Sequence, residues 1–433
     1  MMRQLLILAD DLSGAADCAN ACMRSGLSAV VTFDDAGRHV TSEVLSIDCD
    51  TRHLESDDAA ARVVNVMRRH IGVEPDLLLF KKVDSTLRGN VAVELSAVLK
   101  ERRRLTNGKE RIVSVMAPAF PSGGRTTIEG NQMVHGVALH KTEMWIHDGL
   151  VGPAHIPSML AKAGLRPASL GLNLVRGDGK QLKLAMQQMA GEADVLVCDV
   201  EKDEDLSAIA EASMVLGRQT VWAGSAGLAH QVPHAAGLSG RSRSFQQPRF
   251  ADGPLLFVIG SMSSVSRRQA EVLEREVPIA GIHVSPSLLL AGPHAPKWSD
   301  VAAQIASSLH AGEDTLVLLD ANEHVDQNKR RKLTDALGMM LVPHANTVGA
   351  LVATGGETAR AILDEWKIAS LRIVNEVEHG LPFSIIEAGG RPLPVLTKAG
   401  AFGGEETLLS CWNFLNDLLR GNGQETSEIR RTS

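Results

Sequence analysis

Short runs of Val, Ile and Leu alternate with longer amphipathic stretches along the chain, the pattern of parallel strands joined by crossover helices. The runs predict strands at Leu5–Ala9, Ala29–Phe33, Val44–Ile47, Leu77–Phe80, Ile112–Met116, Val195–Cys198 and Thr220–Ala223. Helices fall between most of them. Over Ala59 to Ile71, Val63, Val66, Met67 and His70 recur three or four apart and leave Arg62, Arg68 and Arg69 for a solvated face. From Ala235 to Pro254 the text becomes AAGLSGRSRSFQQPRFADGP, and the loss of apolar periodicity reads as a linker. A second series follows at Leu255–Ile259, Thr315–Leu319, Leu351–Thr354, Arg372–Val374 and Val395–Lys398, closed by a helix near Glu405–Leu419. The polar residues from Gly423 onward read as a frayed end. The expected fold class is α/β with two domains, 1–235 and 255–433, joined by a linker at 236–254. Each should hold a mostly parallel sheet flanked by helices, with the active site in the crevice between them.

Composition narrows the classes. A chain of 433 residues has room for two or three domains with their own cores, and 44% hydrophobic with 22% charged residues excludes a disordered polymer. The formal charge of −7 gives no global reason to expect nucleic acid or an anionic membrane as partner, so an anionic ligand needs a local cationic pocket. Leu5–Ala9 is too short for a signal peptide or a membrane span, and no later run reaches membrane length. Five scattered cysteines, Cys18, Cys22, Cys49, Cys198 and Cys411, suit small buried hydrophobes in a reducing cytosol, hence a cytoplasmic location. Cys18 and Cys22 share a helical spacing, yet no nearby His or second Cys pair completes a metal site. With no tyrosine and 3% aromatics, stacking on bases is an unpromising mode of recognition. Backbone loops and charged side chains must do the binding.

The chemistry-bearing residues cluster after the predicted strands, where open parallel sheets bind ligands. Asp10 and Asp11 follow the first strand and meet a small-residue helix start, LSGAAD; one of the two also suits a helix cap. Asp50-Thr51-Arg52 follows the third, and Lys81-Lys82-Val83-Asp84-Ser85-Thr86-Leu87-Arg88-Gly89 the fourth. Together they suit a small ligand with a carboxylate and hydroxyls, because Arg and Lys take the former and Asp and Ser the latter. Surface ion pairing explains any one segment alone. The loop APAFPSGGRTT could bring Arg125 to an anion, or be turn chemistry only.

The second half repeats a strand, a small-residue loop and a helix start three times: Ile259-Gly260-Ser261-Met262-Ser263-Ser264, Ala353-Thr354-Gly355-Gly356-Glu357-Thr358, and Thr397-Lys398-Ala399-Gly400-Ala401-Phe402-Gly403-Gly404. Free backbone amides at such turns favour phosphate oxygens. Thr354 with Glu357 also reads as a capping box, a competitor to Glu357 as a magnesium ligand. The P-loop, dinucleotide, zinc-helix and nucleophile-elbow signatures are absent, which disfavours the common NTPases, dehydrogenases and serine hydrolases.

Taken in order, LADDLSGAAD, KKVDSTLRGN, APAFPSGGRTT, GSMSSVS, ATGGETA and TKAGAFGGEETL resemble the four-carbon acid sugar kinase family, from Leu8 to about Leu408. The resemblance implies an N-terminal sugar-acid domain, a C-terminal nucleotide domain, and ATP-dependent phosphorylation of a terminal hydroxyl. It implies that Asp10, Arg52 and the Lys82, Asp84, Ser85 segment hold the acid, with Asp10 to position or deprotonate the attacking hydroxyl. It implies that Ser261, Gly355, Gly356, Glu357, Thr358, Gly400 and Gly403 hold the nucleotide. ATP and Mg2+ are the expected cofactors, with the magnesium ligands open. The Asp-Asp-Leu-Ser-Gly form leans toward D-threonate over D-erythronate or a 3-oxo-tetronate. A non-catalytic sugar-acid sensor on the same fold is the rival from another class, and a homodimer is the commonest soluble assembly.

Overall fold

The computed structural model describes residues 4–33, 41–71, 77–106, 108, 111–238, 240, 247–320, 329–378, 380–400 and 402–420. Residues 239 and 241–246 of the expected linker, Ala401 of the third glycine loop and the expected frayed end from Gly423 lie outside the described residues. The chain forms two compact units, Met1–Ser244 with Ala369–Ile373, and Phe245–Ile368 with Val374–Ser433.

The strands of the first unit are β1 (Leu5–Ala9), β2 (Ala29–Phe33), β3 (Val44–Asp48), β4 (Leu78–Lys82), β5 (Val113–Ala117), β6 (Arg125–Ile128), β7 (Asn131–Val134), β8 (Val137–Ala138), β9 (Pro167–Leu170), β10 (Val195–Cys198) and β11 (Thr220–Gly224). Eight of them form a parallel sheet in the order β2-β3-β1-β4-β11-β5-β10-β9. Strands covered on both faces can be apolar at every position, and all five residues of β1 are buried. Three helices matter to the site: α1 (Leu12–Arg24), α2 (Ser56–Ile71) and α3 (Val91–Leu105). The α2 stripe of Val63, Val66, Met67 and His70 is buried as its spacing predicts. Arg68, although half exposed, is drawn into a two-pronged ion pair with Glu101 of α3, at 2.9 Å through each prong.

The antiparallel pieces escape the hydrophobic pattern. β6, β7 and β8 form a separate small sheet whose two-residue turns, Glu129-Gly130 and His135-Gly136, all have positive φ. Such left-handed pairs match hairpin twist, but Glu-Gly and His-Gly are quieter signals than Asn-Gly. Asp199 fixes the first turn by accepting from Glu129 N at 2.8 Å and Gly130 N at 2.9 Å.

In the second unit the strands are β12 (Leu255–Ile259), β13 (Ala280–Val284), β14 (Thr315–Leu319), β15 (Ala350–Thr354), β16 (Ser370–Glu376), β17 (Pro382–Ala388) and β18 (Arg391–Lys398). The start of β16 counts with the first unit, where Ser370, Leu371 and Arg372 pair antiparallel with Thr32, Val31 and Val30 of β2. The sheet runs β13-β14-β12-β15-β18-β17, with β17 antiparallel to β18 and the other pairings parallel. The helix Thr407–Arg420 packs Leu408, Cys411 and Leu415 into a core with Phe257, Leu396 and Phe383.

Both units trace one path. The chain leaves its first strand, lays two strands to one side (β2 and β3, or β13 and β14), then crosses to the other side to form β4 or β15. Loops diverge where a sheet changes direction in this way, and a crevice opens at the carboxyl end of the first strand. Asp10 follows β1 there and Ser261 follows β12.

Candidate active-site residues

In the first unit the loops after the neighbouring strands β3, β1 and β4 meet. The two aspartates after β1 divide their work. Asp11 caps α1, its Oδ1 accepting from Gly14 N at 3.0 Å, while Asp10 is buried and does not cap. The main chain ties the loops together: Thr51 N and Arg52 N donate to Asp10 O at 3.0 and 3.3 Å. Arg52 then spans the acids, with Nε 2.8 Å from Asp10 Oδ2, Nη1 2.8 Å from Asp11 Oδ2 and Nη2 4.0 Å from Asp84 Oδ1. Asp84 accepts from Arg88 Nε at 2.6 Å and from the Thr86 hydroxyl. Ser85 follows directly, and its carbonyl accepts from Gln132 Nε2 at 2.7 Å.

Two groups in this cluster remain available. Asp10 Oδ1 is buried with no hydrogen-bond partner among the described residues. The Lys82 ammonium likewise has no protein acceptor among the described residues. It lies so close over the first turn of α1 that a Cβ on Gly14 would overlap it. Burial opposes ionisation of Asp10, but the charges of Arg52, Lys82 and Lys81 overcome it and lower the carboxyl below its ordinary value. Asp84 is held well below the carboxylate range, burial being outweighed by Arg88, Arg52 and Lys82. Lys82 is raised, because Asp10, Asp11 and Asp84 outweigh its desolvation. Asp10, Asp84 and Lys82 thus form a charged, preorganised set with one free carboxylate oxygen and one free ammonium among the described residues.

Behind it, Lys81 is buried with Nζ 2.8 Å from Glu94 Oε2 of α3 and donates to Lys82 O at 2.8 Å and Leu8 O at 3.3 Å, bracing the ends of β1 and β4. Arg125 opens β6, donates to Gly123 O and feels the charges of Asp84 and Arg88.

In the second unit the three glycine loops follow β12, β15 and β18, which are adjacent. Register puts Ile259 level with Thr354, and Thr354 level with Lys398. The loops therefore start side by side and touch. Gly355 N donates to Lys398 O at 2.7 Å, a Cβ on Gly260 would overlap the Thr358 hydroxyl, and one on Gly400 would overlap Ser261 Oγ. Gly355 has φ of 93° and is itself the N-cap of the helix Gly356–Glu365. The capping box expected of Thr354 and Glu357 is therefore not formed: Thr354 is the last residue of β15, buried, with no hydrogen-bond partner for its hydroxyl among the described residues. Ser261 Oγ accepts from Ser263 N at 3.3 Å, and Ser263 caps the helix Ser264–Glu276. Gly403 has φ of 87° beside Thr407.

The structure thus brings Asp10, Arg52, Lys82, Asp84 and Ser85 together in one unit. It brings Ser261, Gly355, Gly356, Glu357, Thr358, Gly400 and Gly403 together in the other. The braces Glu94 and Gln132 carry no local sequence signal, since their partners Lys81 and Ser85 are brought to them by the fold, whereas Thr86 and Arg88 lie two and four residues from their partner Asp84 within the segment the sequence singles out. Among the described residues no group of three or more His, Cys, Asp or Glu is arranged to hold a metal ion. No helix among them is long and apolar enough to cross a membrane.

Residues 5–232 match the family model described as a sugar-binding N-terminal domain, and 256–408 the one described as a nucleotide-binding C-terminal domain. A D-threonate kinase of Cupriavidus necator is 36% identical over 95% of this chain and 98% of its own. A 3-oxo-tetronate kinase of Methylobacterium radiotolerans is 26% identical over 92% of this chain and 96% of its own. The solved Haemophilus influenzae protein HI1011 shares the fold, with a TM-score of 0.70 at 18% identity, covering 95% of this chain and 100% of that one. A sugar-binding unit followed by a nucleotide-binding unit defines the class. The chain belongs to the four-carbon acid sugar kinase family and is an ATP-dependent sugar-acid kinase.

Proposed function

We propose that this kinase transfers the γ-phosphoryl group of ATP to the C4 hydroxyl of D-threonate, giving 4-phospho-D-threonate. The observation that carries the site assignment is the pair of unclaimed groups in the first unit, Asp10 Oδ1 and the Lys82 ammonium. Lys82 takes the substrate carboxylate as a point charge. Asp10 Oδ1 accepts from a substrate hydroxyl, and Asp84 with Ser85 orients the others, while Arg52 keeps the acids in register. Phosphoryl transfer asks mainly for positioning and charge stabilisation. An Asp10 held below its ordinary value is a weak base, so its role is to aim the hydroxyl rather than to strip it in advance. The choice of D-threonate is supported by the Cupriavidus relative and its identity over nearly the whole chain.

The loops after β12, β15 and β18 hold the nucleotide, with Ser261, the Gly355 to Thr358 turn, and Gly400 and Gly403 presenting donors to its phosphates. The described residues hold no cluster of three or more His, Cys, Asp or Glu arranged for a metal ion, so magnesium would be carried on those phosphates and water, with at most a single carboxylate such as Glu357 beside it. When bound it neutralises charge between the phosphates. A cytoplasmic location is supported by five buried cysteines that form no disulfide among the described residues, and a homodimer by base rate.

The deciding experiment measures ADP release with magnesium and ATP against D- and L-threonate, D- and L-erythronate and the 3-oxo acids. Turnover highest on D-threonate is the expected result. Higher turnover on another member reassigns the substrate, and ATP binding without turnover on any acid points to a sensor.

A further inference from the structure

Lys398 ends β18 and is only 1% exposed, yet no carboxylate pairs with it among the described residues. An ammonium has three donors, and all three go to carbonyls of the loop that Lys398 itself begins: Ala399 O at 3.0 Å, Gly400 O at 3.3 Å and Phe402 O at 3.0 Å. The helix Ser264–Glu276 grips the same loop. The Ser266 hydroxyl donates to Gly400 O, and Gln269 Nε2 donates to Phe402 O at 3.0 Å and Gly404 O at 2.6 Å. The carbonyls of Ala399, Gly400, Phe402 and Gly404 are turned toward Lys398 and that helix, while the amides of Gly400 and Gly403 have no protein acceptor among the described residues. A turn with carbonyls gathered inward and amides free is an anion cradle. The buried positive charge at its base favours an anion across it.

We propose that Lys398 is a positioning residue for the nucleotide phosphates: it fixes the carbonyls of Ala399, Gly400 and Phe402 and supplies the charge that a phosphate group on the amides of Gly400 and Gly403 neutralises. This rests on the nucleotide reading of the three loops. Burial pushes the Lys398 ammonium down to about 8, against a small opposing effect of Cys411 on the helix Thr407–Arg420. That thiol is pushed up by its own burial and by Glu378, so it stays neutral in the range concerned. Lys398 therefore loses its charge just above neutrality, and the loop should lose its hold on phosphate with it.

The test is calorimetric titration with MgADP at pH about 7 and about 9.5 of the wild type, Lys398→Arg and Lys398→Met, with circular dichroism to check the fold. The wild type should bind at the lower pH and weaken about tenfold at the higher. Lys398→Arg, which cannot deprotonate in this range, should show little pH dependence. Lys398→Met should bind about tenfold or more weakly at both pH values. Wild-type affinity in folded Lys398→Met, or equal pH dependence in the wild type and Lys398→Arg, overturns the proposal. If Lys398→Met does not fold, the wild-type and Lys398→Arg profiles decide alone. Absence of MgADP binding by the wild type at both pH values overturns instead the nucleotide reading on which the proposal stands.

Discussion

Arg52 Nε donates to Asp10 Oδ2 at 2.8 Å, while the other oxygen of the same carboxylate accepts nothing from the described protein. The bonded oxygen fixes the carboxylate plane, and the free one is thereby aimed. Asp10→Asn keeps the shape but exchanges a charged acceptor for an amide. Its kcat/KM for the sugar acid should fall about a hundredfold, mostly in kcat if the hydroxyl it aims is the one that attacks. Steady-state kinetics check this, and wild-type turnover in the variant would remove Asp10 from the reaction.

Lys82 holds a charge that no acceptor takes among the described residues. In Lys82→Met the methylene stem is retained and only the charge is lost. The KM for the sugar acid should rise about tenfold to a hundredfold with a smaller change in kcat, because a carboxylate distant from the reacting hydroxyl contributes equally to ground state and transition state. The KM for ATP should stay close to the wild-type value.

At Gly400, an added Cβ would overlap Ser261 Oγ and push two nucleotide loops apart. Gly400→Ala should weaken MgADP binding about tenfold or more and leave binding of the sugar acid to the first unit intact. Parallel titrations with the two ligands distinguish a local effect from loss of fold.

Asp194 anchors the first unit, accepting from Arg166 Nε at 3.0 Å, Arg166 N at 3.0 Å and Arg103 Nη2 at 2.7 Å. Burial would raise its carboxyl, but the Arg166 hydrogen bonds and the Arg103 charge prevail and hold it at about 2, below the ordinary 3.8. A carboxylate with a depressed folded-state value stabilises above its unfolded value and loses that contribution as pH falls through the folded one. Asp194→Asn should therefore cost about 1 kcal/mol near neutral pH, discounted for the solvent around Arg166. That deficit should shrink as pH falls from about 4 toward 2. Urea unfolding of both proteins across that range measures it.

The parallel strands were legible because each is an uninterrupted apolar run: β1, β2, β10, β12 and β14 occupy the spans that their hydrophobic residues predict. β17 and β18 were harder to read. Pro382, Pro392 and Pro394 break the pattern of an ordinary strand, and the hairpin closes on Gly389 and Gly390. In the candidate site, the residues after strand ends could be read from one dimension. Whether Asp10 or Asp11 capped the helix could not, because that depends on Arg52 and Lys82 arriving from remote strands. The Thr354–Glu357 box failed for a related reason: β15 extends through Thr354 to pair with Lys398, and the helix start passes to Gly355.

The Lys82 ammonium and a Cβ on Gly14 would compete for one volume. The two positions are therefore coupled in what they can become. A relative that carries a side chain at the equivalent of Gly14 must shorten or redirect the equivalent of Lys82, and with it give up the free cation. Across a wide set of sequences these positions should vary together or not at all, and a chain that has lost one of them should differ in the ligand it accepts.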